Sequence, residues 1–303
     1  MKAAEAQAFE TGGIAPWIMA LRPKTLTAAF VPVVVATALV KADGHPVLWW
    51  VSIFALLSSA FIQIGTNLVN DAVDFKKGAD TEKRIGPQRV TQSGLLTAKQ
   101  VMVGGMFCFF VALCLGIPLV IQGGWPIVGI GLVSLFLGYA YTGGPFPLAY
   151  KGLGDLFVIL FFGLIAVMGT YFLHTQVITI GSAVAGLQVG FLATVLIAIN
   201  NLRDAPQDAL VNKKTLAVRF GVGFARAEIL FLVFSPFLLG LYWIAQGRLY
   251  AALLPLGAIF LARRVVVGVF RNAPSPIYNK FLAMAAGLQL LFGLVLAVAF
   301  WIR

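Results

Sequence analysis

Long apolar stretches recur along the whole sequence and constrain the fold more than any other feature. The chain is 60% hydrophobic and 11% charged, whereas soluble domains contain about 25% charged residues. About 17 to 25 apolar residues are needed to cross the hydrocarbon core of a bilayer, and segments near this length are repeated. Because lipid cannot satisfy backbone N–H and C=O groups, such segments must be helices. The sequence therefore predicts an all-α, multi-spanning membrane protein.

We predict about nine transmembrane helices, with two long cytoplasmic loops, in a single domain over residues 1–303. The first, seventh and eighth spans have the least distinct limits, because polar residues and prolines interrupt their apolar runs. The predicted spans are 26–40, 48–68, 101–121, 125–141, 153–173, 178–199, 227–244, 249–262 and 281–302.

The net charge of +11 is explained by membrane orientation rather than by a nucleic-acid partner. With nine spans, 19 of the 22 Lys and Arg residues fall on one side, and only Lys41, Arg248 and Arg303 fall on the other. Short loops rich in Lys and Arg stay in the cytoplasm. We therefore expect the N-terminus and the basic loops on the cytoplasmic side. The host membrane, a cell inner (plasma) membrane or a thylakoid-type membrane, stays open, as does the oligomeric state.

Two short clusters contain six of the eleven acidic residues, and they lie 133 positions apart. Both fall where a predicted span runs into a basic loop, after the second and the sixth spans. This placement indicates two parallel four-helix units followed by a ninth helix. The clusters are Asp71, Asp74, Asp80 and Glu82, preceded by Asn67, and Asp204 and Asp208, preceded by Asn200.

The spacing of the aspartates indicates a metal site. Asn200, Asp204 and Asp208 are four residues apart, so they share one face of a helix. Gathered carboxylates repel one another unless cations neutralise them, and ionisable residues at membrane depth are costly. Oxygen-only ligands suit Mg²⁺, which binds one or two carboxylates together with substrate phosphate oxygens. The predicted ligands are Asp71, Asp74, Asp80, Asp204 and Asp208.

Basic and amide side chains accompany the aspartates in polar loops predicted at about 71–100 and 200–226. Carboxylates, Mg²⁺ and basic side chains together make a site for a diphosphate. In a membrane, a diphosphate on a lipid tail is the natural ligand. The alternative is that individual Lys and Arg residues only orient the protein. Candidate diphosphate-binding residues are Asn67, Lys76, Lys77, Arg84, Arg89, Asn200, Arg203 and Lys214.

Motifs along nearly the whole chain carry a family resemblance. They are RPKTL at 22–26, NLVNDAVD at 67–74, GADT at 78–81, GPQR at 86–89, NNLRD at 200–204 and KTLAVR at 214–219. Their order and spacing resemble the UbiA-type intramembrane prenyltransferases, most closely the branch that prenylates 1,4-dihydroxy-2-naphthoate in menaquinone or phylloquinone biosynthesis. Many relatives have a further Asp where this chain has Gly78, and Asp80 is the candidate replacement.

The resemblance implies a nine-helix bundle in which two Asp-rich motifs hold two Mg²⁺ ions and a prenyl diphosphate. The diphosphate leaves, and the aromatic acceptor attacks the prenyl cation at its carboxyl-bearing carbon, with loss of CO₂. Asp71, Asp74, Asp204 and Asp208 are then the catalytic aspartates.

Two tyrosines are candidates to stabilise the prenyl cation. The ring faces of Tyr139 and Tyr141, near the end of the fourth predicted span, can attract a cation. The alternative is that both belong to the aromatic belt at the membrane interface.

Three charged residues are candidates to bind the acceptor. Arg22 and Lys24 would bind its carboxylate, unless they only extend to the interface. Asp155 would orient its hydroxyl groups, unless it merely pairs with Lys151 four residues earlier on a helix.

Other functions are considered beside this one. A prenyltransferase for 4-hydroxybenzoate or homogentisate would carry the same motifs. A cation-coupled transporter would also have repeats and intramembrane carboxylates, but these tend to lie at the membrane midplane. A CDP-alcohol phosphotransferase would place both acidic pairs within about one helix, whereas here they are more than a hundred residues apart.

Overall fold

The computed structural model describes residues 13–78, 85–145 and 147–302. Within these ranges the regular structure is helical and contains no strand, which confirms the all-α prediction. We number the longer helices in chain order. They are α1 Ile14–Leu21, α2 Thr27–Ala42, α3 Trp49–Lys76, α4 Ala98–Gly123, α5 Trp125–Ala140, α6 Gly154–Thr175, α7 Ile180–Leu210, α8 Leu216–Ala245, α9 Leu249–Arg271 and α10 Tyr278–Trp301.

The long apolar helices make this a multi-pass membrane protein. Seven of them, α3, α4 and α6 to α10, are long and apolar enough to cross a bilayer. The pair of α1 and α2, bent by 50°, supplies an eighth if it counts as one span, and α5 is apolar but shorter. Helices α2 to α10 overlap the nine predicted segments in order. The exact count of nine spans and the repeat of four-helix units stay predictions.

The helices extend further into the polar segments than the sequence indicated. α3 continues to Lys76 and α7 to Leu210, so Asp71 and Asp74 of the first cluster, and both aspartates of the second, lie on the last turns of membrane helices. The predicted loop at 200–226 is wrong, because only residues 211–215 separate α7 from α8. Pro206 is tolerated inside α7, and Gly221, with φ of 80°, interrupts the start of α8 instead. The first polar loop is confined to residues 77–97.

The main apolar core lies where α2, α7, α8 and α10 meet. Leu39, Leu192, Ile199, Ile229 and Phe292 are each almost completely buried in it. Burial of a leucine- or phenylalanine-sized side chain contributes about 1.5–3 kcal/mol relative to water, although lipid weakens this driving force between helices. This core fixes α7, the helix that carries the second acidic cluster.

Three glycines allow α6 to contact α7 closely. Residues Ile159–Ile165 of α6 form a π-helical segment, and Gly163 within it packs on Gly186 and Gly190 of α7. A Cβ atom placed on Gly163 would lie 2.6 Å from the Gly186 carbonyl oxygen and from the Gly190 Cα. Small residues at a membrane-helix crossing let backbones approach in this way. The crossing sets the position of Asp155, at the start of α6, relative to α7.

We expect Gly163→Ala to destabilise the protein by about 1–3 kcal/mol, because the added methyl group overlaps backbone atoms that cannot move aside. The measurement is the thermal unfolding temperature in detergent. Gly129→Ala in α5 is the matched control, since no atom lies within 4 Å of its added Cβ. Equal unfolding temperatures for both variants would contradict the close crossing.

Candidate active site

Asp71 and Asp74 of the first acidic cluster lie on the last turns of α3. Asp71 is 1% exposed, and its Oδ1 accepts hydrogen bonds from the backbone N–H and the hydroxyl group of Thr91. Asp74, one turn later, accepts a hydrogen bond of 3.1 Å from the Tyr150 hydroxyl. The Arg89 guanidinium lies 3.9 Å from the other Asp74 oxygen. Neutral donors and one cation therefore hold the two carboxylates in place.

The second acidic cluster is organised by a buried arginine. Arg203 is 0% exposed, and its Nε and one terminal nitrogen each donate a 2.7 Å hydrogen bond to Asp204. Its remaining donors reach Asn200 Oδ1 and Asn279 Oδ1, both at 2.6 Å. Each of the three guanidinium nitrogens therefore has a partner inside the protein. These contacts indicate that Arg203 positions its neighbours, and its predicted contact with a diphosphate stays a prediction.

Asp208 is the least satisfied carboxylate of the second cluster. Its Oδ1 accepts a hydrogen bond of 3.2 Å from Lys213. Its Oδ2 is buried and has no hydrogen-bond partner among the described residues. An unpaired buried carboxylate oxygen is costly, so this atom is available for a cation.

The two clusters face a common space around Tyr141. Asp74 binds the Tyr150 hydroxyl, and the Tyr150 carbonyl accepts from the backbone N–H of Lys214. The preceding residue, Lys213, binds Asp208, so this chain of contacts brings the two motifs to one region. Tyr141 follows the end of α5, and burial, then the carboxylates of Asp155, Asp74 and Asp208, raise the pKa of its phenol well above the usual value. The phenol therefore stays neutral at physiological pH. That both acidic motifs act on one ligand stays a prediction.

Short connecting segments tie the ends of these helices together. Tyr150, which binds Asp74, lies in the turn Leu148–Lys151 between α5 and α6, and its carbonyl oxygen accepts a hydrogen bond from the backbone N–H of Lys214. Arg219 then donates to the Lys151 carbonyl at 2.8 Å. Asp74 of the first cluster is therefore connected, through Tyr150 and Lys151, to residues 214–219, which follow the second cluster.

A second connection involves α10. Asn279, which accepts from Arg203, also donates to the Ile85 carbonyl at 3.2 Å. Ile85 belongs to the segment after the first cluster. Both clusters and the start of α10 therefore lie at the same end of the bundle.

An apolar cavity of about 460 Å³ begins beside these groups. It is lined by residues of α2 to α6, including Tyr141 and Leu148 at the polar end and Ile127 far along α5. The 14 residues from Ile127 to Tyr141 correspond to about 21 Å of helix. Ile117 and Leu132 line the cavity and are also exposed on the surface, so it opens sideways between α4 and α5.

The bent segment before α2 is held against α3 by Asn67. The Asn67 amide donates to the Leu21 carbonyl at 3.0 Å and to the Thr25 hydroxyl at 2.9 Å, and Arg22 donates to the Asn67 carbonyl. Arg22, which has a left-handed backbone with φ of 52°, acts electrostatically on Tyr141. Asn67 is therefore placed to position Arg22 near the common space rather than to face that space itself.

Asp155 is buried near the common space and has no direct partner. Its side chain is 4% exposed, and neither carboxylate oxygen has a hydrogen-bond partner among the described residues. The simple helix pair with Lys151 is therefore absent as a hydrogen bond. Lys213 acts on Asp155 electrostatically, and Gly154 beside it lies next to the Tyr141 hydroxyl.

Several predicted residues lie apart from this arrangement. Tyr139 is 39% exposed. Of the two predicted tyrosines, Tyr141 lines the cavity and Tyr139 does not. Lys77 is exposed but its ammonium donates to the Thr142 carbonyl at 2.6 Å and lies 4.6 Å from the Tyr150 ring centroid. Lys24, Lys76 and Lys214 are exposed. Asp80 and Arg84 lie outside the described residues.

Some residues of the site were missed from the sequence. Thr91, Tyr150, Lys213 and Asn279 each bind a motif residue directly. Tyr150 carried a usable signal, since it stands in a turn-rich segment, GGPFPLAYKGLG at 143–154, between two apolar spans. Thr91 and Asn279 had no such signal, because their contacts span 20 and 76 residues.

The donor set fits a divalent cation that shares its ligands with a substrate. Within the described ranges, no three His, Cys, Asp or Glu side chains gather closely enough to enclose an ion. Mg²⁺ typically uses one or two carboxylates and completes its octahedron with water and phosphate oxygens. The unpaired Asp208 Oδ2 and the neighbouring Asp74 match this requirement, whereas both Asp204 oxygens are occupied by Arg203.

A charged site at one end of an apolar, laterally open cavity suits a ligand with a polar head group and an apolar tail. The model of the UbiA prenyltransferase family matches residues 29–285. The chain belongs to the UbiA prenyltransferase family and is a prenyltransferase. Membership in an enzyme family sets the transporter hypothesis aside.

Individual relatives cover most of the chain. It is 34% identical to the 1,4-dihydroxy-2-naphthoate octaprenyltransferase of Escherichia coli K12, over 94% of this chain and 96% of that one. It is 27% identical to the 2-carboxy-1,4-naphthoquinone phytyltransferase of Synechocystis, over 94% and 92%. The structure of an Archaeoglobus fulgidus UbiA homologue bound to DMAPP and Mg²⁺ has the same fold, with a TM-score of 0.59, 17% identity and coverage of 93% and 99%.

We expect Arg203→Gln to lower stability by about 3–5 kcal/mol, because it leaves the Asp204 carboxylate buried without its partner. Thermal unfolding in detergent measures the loss. The matched control is Arg264→Gln, which removes the same charge from an exposed position on α9. An unfolding temperature for Arg203→Gln equal to that of the control would show that the buried pair does not hold this end of the bundle.

Proposed function

We propose that the protein transfers a prenyl group from its diphosphate to 1,4-dihydroxy-2-naphthoate with loss of CO₂, in a Mg²⁺-dependent reaction. The product is a demethylated menaquinone or phylloquinone precursor. The names of the bacterial relatives support this acceptor, and the DMAPP- and Mg²⁺-bound homologue supports the donor class and the metal. Tail length, phytyl or polyprenyl, is left open, since relatives with either tail are similar to this chain.

One observation carries the proposal: Tyr141 belongs both to the apolar cavity and to the charged site. A prenyl diphosphate needs an apolar channel for its tail and a cation-binding site for its head at adjoining positions. The cavity meets the aspartates at Tyr141. Its lateral opening would let a tail longer than about 21 Å continue into the bilayer.

Asp74 and Asp208 are proposed as the main Mg²⁺ ligands, with Asp71 supporting the first motif from its buried position. Bound Mg²⁺ would neutralise the diphosphate oxygens and make the diphosphate a better leaving group. Two ions are proposed because each motif supplies its own carboxylates. Arg89 and Lys213, which already contact Asp74 and Asp208, are placed to neutralise further phosphate oxygens.

Tyr141 is proposed to stabilise positive charge on the departing prenyl carbon through its ring face. The neutral phenol cannot form a bond to the cation as a phenolate would, because burial and nearby carboxylates keep it protonated. A desolvated cation–π contact is worth about 1–2 kcal/mol. The position between the cavity and both motifs suits this role.

Arg22 and Asp155 are proposed to bind the acceptor beside Tyr141. Arg22 would pair with the naphthoate carboxylate, and the Asp155 oxygens, which have no hydrogen-bond partner among the described residues, would accept a hydrogen bond from an acceptor hydroxyl group. This gives the buried Asp155 carboxylate the partner that it otherwise lacks. Lys24 is exposed, so it would attract the acceptor rather than enclose it.

The proposed reaction is balanced. The allylic C–O bond breaks and its electron pair leaves with the diphosphate. The acceptor ring carbon that bears the carboxylate forms the new C–C bond. The bond from this carbon to CO₂ then breaks, and its electron pair restores the aromatic ring. The charge bias of the loops supports a site on the cytoplasmic side.

The proposed function predicts diphosphate release and a prenylated naphthoquinol when purified protein receives Mg²⁺, a prenyl diphosphate and dihydroxynaphthoate. EDTA should abolish product formation. Asp208→Asn should lower kcat by at least about 100-fold, because it removes the negative charge that the second motif supplies to Mg²⁺. Glu10→Gln, which removes a carboxylate outside both motifs, is the control. Product formed with 4-hydroxybenzoate or homogentisate instead would agree with the family assignment but would refute dihydroxynaphthoate as the acceptor.

Tyr141→Leu should lower kcat about 5- to 30-fold, the equivalent of 1–2 kcal/mol of cation stabilisation, whereas Tyr141→Phe should retain most of the activity because it keeps the ring face. Steady-state kinetics with saturating substrates provides the measurement. Tyr139→Leu, at an exposed position, is the matched control. Equal losses at both tyrosines would point to a general packing effect.

Asp155→Asn should raise the KM for the aromatic acceptor about tenfold and leave the KM for the prenyl diphosphate unchanged. The expected cause is the loss of a charge-assisted hydrogen bond to a hydroxyl group, worth about 1.5 kcal/mol. Initial rates with each substrate varied in turn separate the two constants. A rise in the diphosphate KM alone would assign Asp155 to the donor site instead.

A further inference from the structure

The outer face of α9 carries an unusual row of charges. Arg263, Arg264 and Arg271 are all exposed, together with Phe260 and Phe270. At 100° per residue these three arginines fall within an arc of about 100° on the helix. The opposite side, with Val265 and Val269, is buried in the core.

These arginines have no counter-charge within the protein. Among the described residues, none forms a hydrogen bond or an ion pair with the side chains of Arg263, Arg264, Arg271 or Lys280 at the start of α10. The sequence from 229 to 303 contains no Asp or Glu at all. The nearest acid in the sequence, Glu228, acts electrostatically on Asp155 in the interior. The positive charge is therefore presented outward.

The charges extend from the active-site end of the bundle along α9. Arg271 and Lys280 flank the turn that leads to Asn279, which contacts the active-site end through Arg203. Arg263 lies eight residues before Arg271, about 12 Å along the helix. An arginine side chain is long enough to direct its guanidinium along the helix surface toward the head-group region.

A neighbouring cation completes the patch. Arg226 of α8 donates to the carbonyls of Val269 and Asn272 at 3.2 and 2.9 Å, and its guanidinium lies 5.9 Å from the Phe270 ring centroid. It fixes a positive charge beside the end of α9. We name the set Arg226, Arg263, Arg264, Arg271 and Lys280 the α9 basic patch.

Membrane orientation alone does not account for the patch. Orientation is set by charges in the loops and at the helix ends, and α4 shows that pattern. Its outward residues Met106, Phe107, Phe110 and Ile117 are apolar, and its only basic residue, Lys99, stands at its first turn. On α9, in contrast, Arg263 and Arg264 lie about two turns before the helix ends at Arg271.

We propose that the α9 basic patch binds the phosphate head group of an anionic phospholipid, with the acyl chains along Phe260 and Phe270. Guanidinium groups bind phosphate by paired hydrogen bonds, and basic clusters at the cytoplasmic side of membrane helices recognise anionic lipid head groups. Charge complementarity with a leaflet of acidic lipids favours this occupant over a protein partner. The site is separate from the diphosphate site and does not depend on the proposed reaction.

Native mass spectrometry of the detergent-solubilised protein with added phosphatidylglycerol or phosphatidylcholine tests this proposal. The wild type should retain phosphatidylglycerol at least about fivefold better than phosphatidylcholine. The triple variant Arg263→Gln/Arg264→Gln/Arg271→Gln should lose most of this preference, and the corresponding triple lysine variant should keep part of it, because lysine retains charge without the paired geometry.

Two controls make the result decisive. Lys99→Gln removes an exposed cation from α4 and should retain the wild-type preference. Thermal unfolding of each variant establishes that it is folded. The single variant Arg264→Gln should lose less of the preference for phosphatidylglycerol than the triple variant. Absence of a preference in the wild type, an unchanged preference in the triple variant, or displacement of the lipid by millimolar inorganic phosphate would each overturn the proposal.

Discussion

The buried Arg203 guanidinium is the interaction on which the arrangement of the active-site end depends. A buried charge is tolerated only when it is paired and its hydrogen-bond donors are satisfied. Arg203 meets this condition through Asp204, Asn200 and Asn279. Because Asn279 also binds Ile85, the same guanidinium links α7, α10 and the segment after α3. The buried Arg203–Asp204 pair adds little net stability, but it fixes one arrangement of the surrounding side chains. That geometry leaves Asp208, rather than Asp204, with a free oxygen.

The cost of charge in a membrane also explains why the reactive groups lie on helix ends. The aspartates occupy the last turns of α3 and α7, where they remain near water but adjoin the apolar cavity. Short connections such as Leu148–Lys151 then bring Tyr150 to Asp74 without a long mobile loop. A prenyltransferase needs this boundary, because its donor has a charged head and an apolar tail.

The sequence predicted the helical membrane fold, both acidic clusters and their common end, because hydropathy and the spacing of four residues are local properties. It did not predict that Arg203 would bind Asp204, since adjacent residues on a helix point in different directions and only the length of the arginine side chain lets it fold back. Tyr139 and Tyr141 were equivalent in the sequence, but α5 ends between them, so only Tyr141 lines the cavity. Loop limits are harder to predict, because a change from apolar to polar residues does not mark a helix end: α7 continues through Pro206 to Leu210.

The most direct test of the central claim is a double-mutant cycle between Asp74→Asn and Asp208→Asn, measured as the affinity for a non-hydrolysable prenyl diphosphate analogue in the presence of Mg²⁺. If both carboxylates face one shared ligand, the two losses should be non-additive by at least about 1 kcal/mol, because residues that act on a common partner are coupled. Losses that add within about 0.3 kcal/mol would show that the two motifs act independently and would contradict the account.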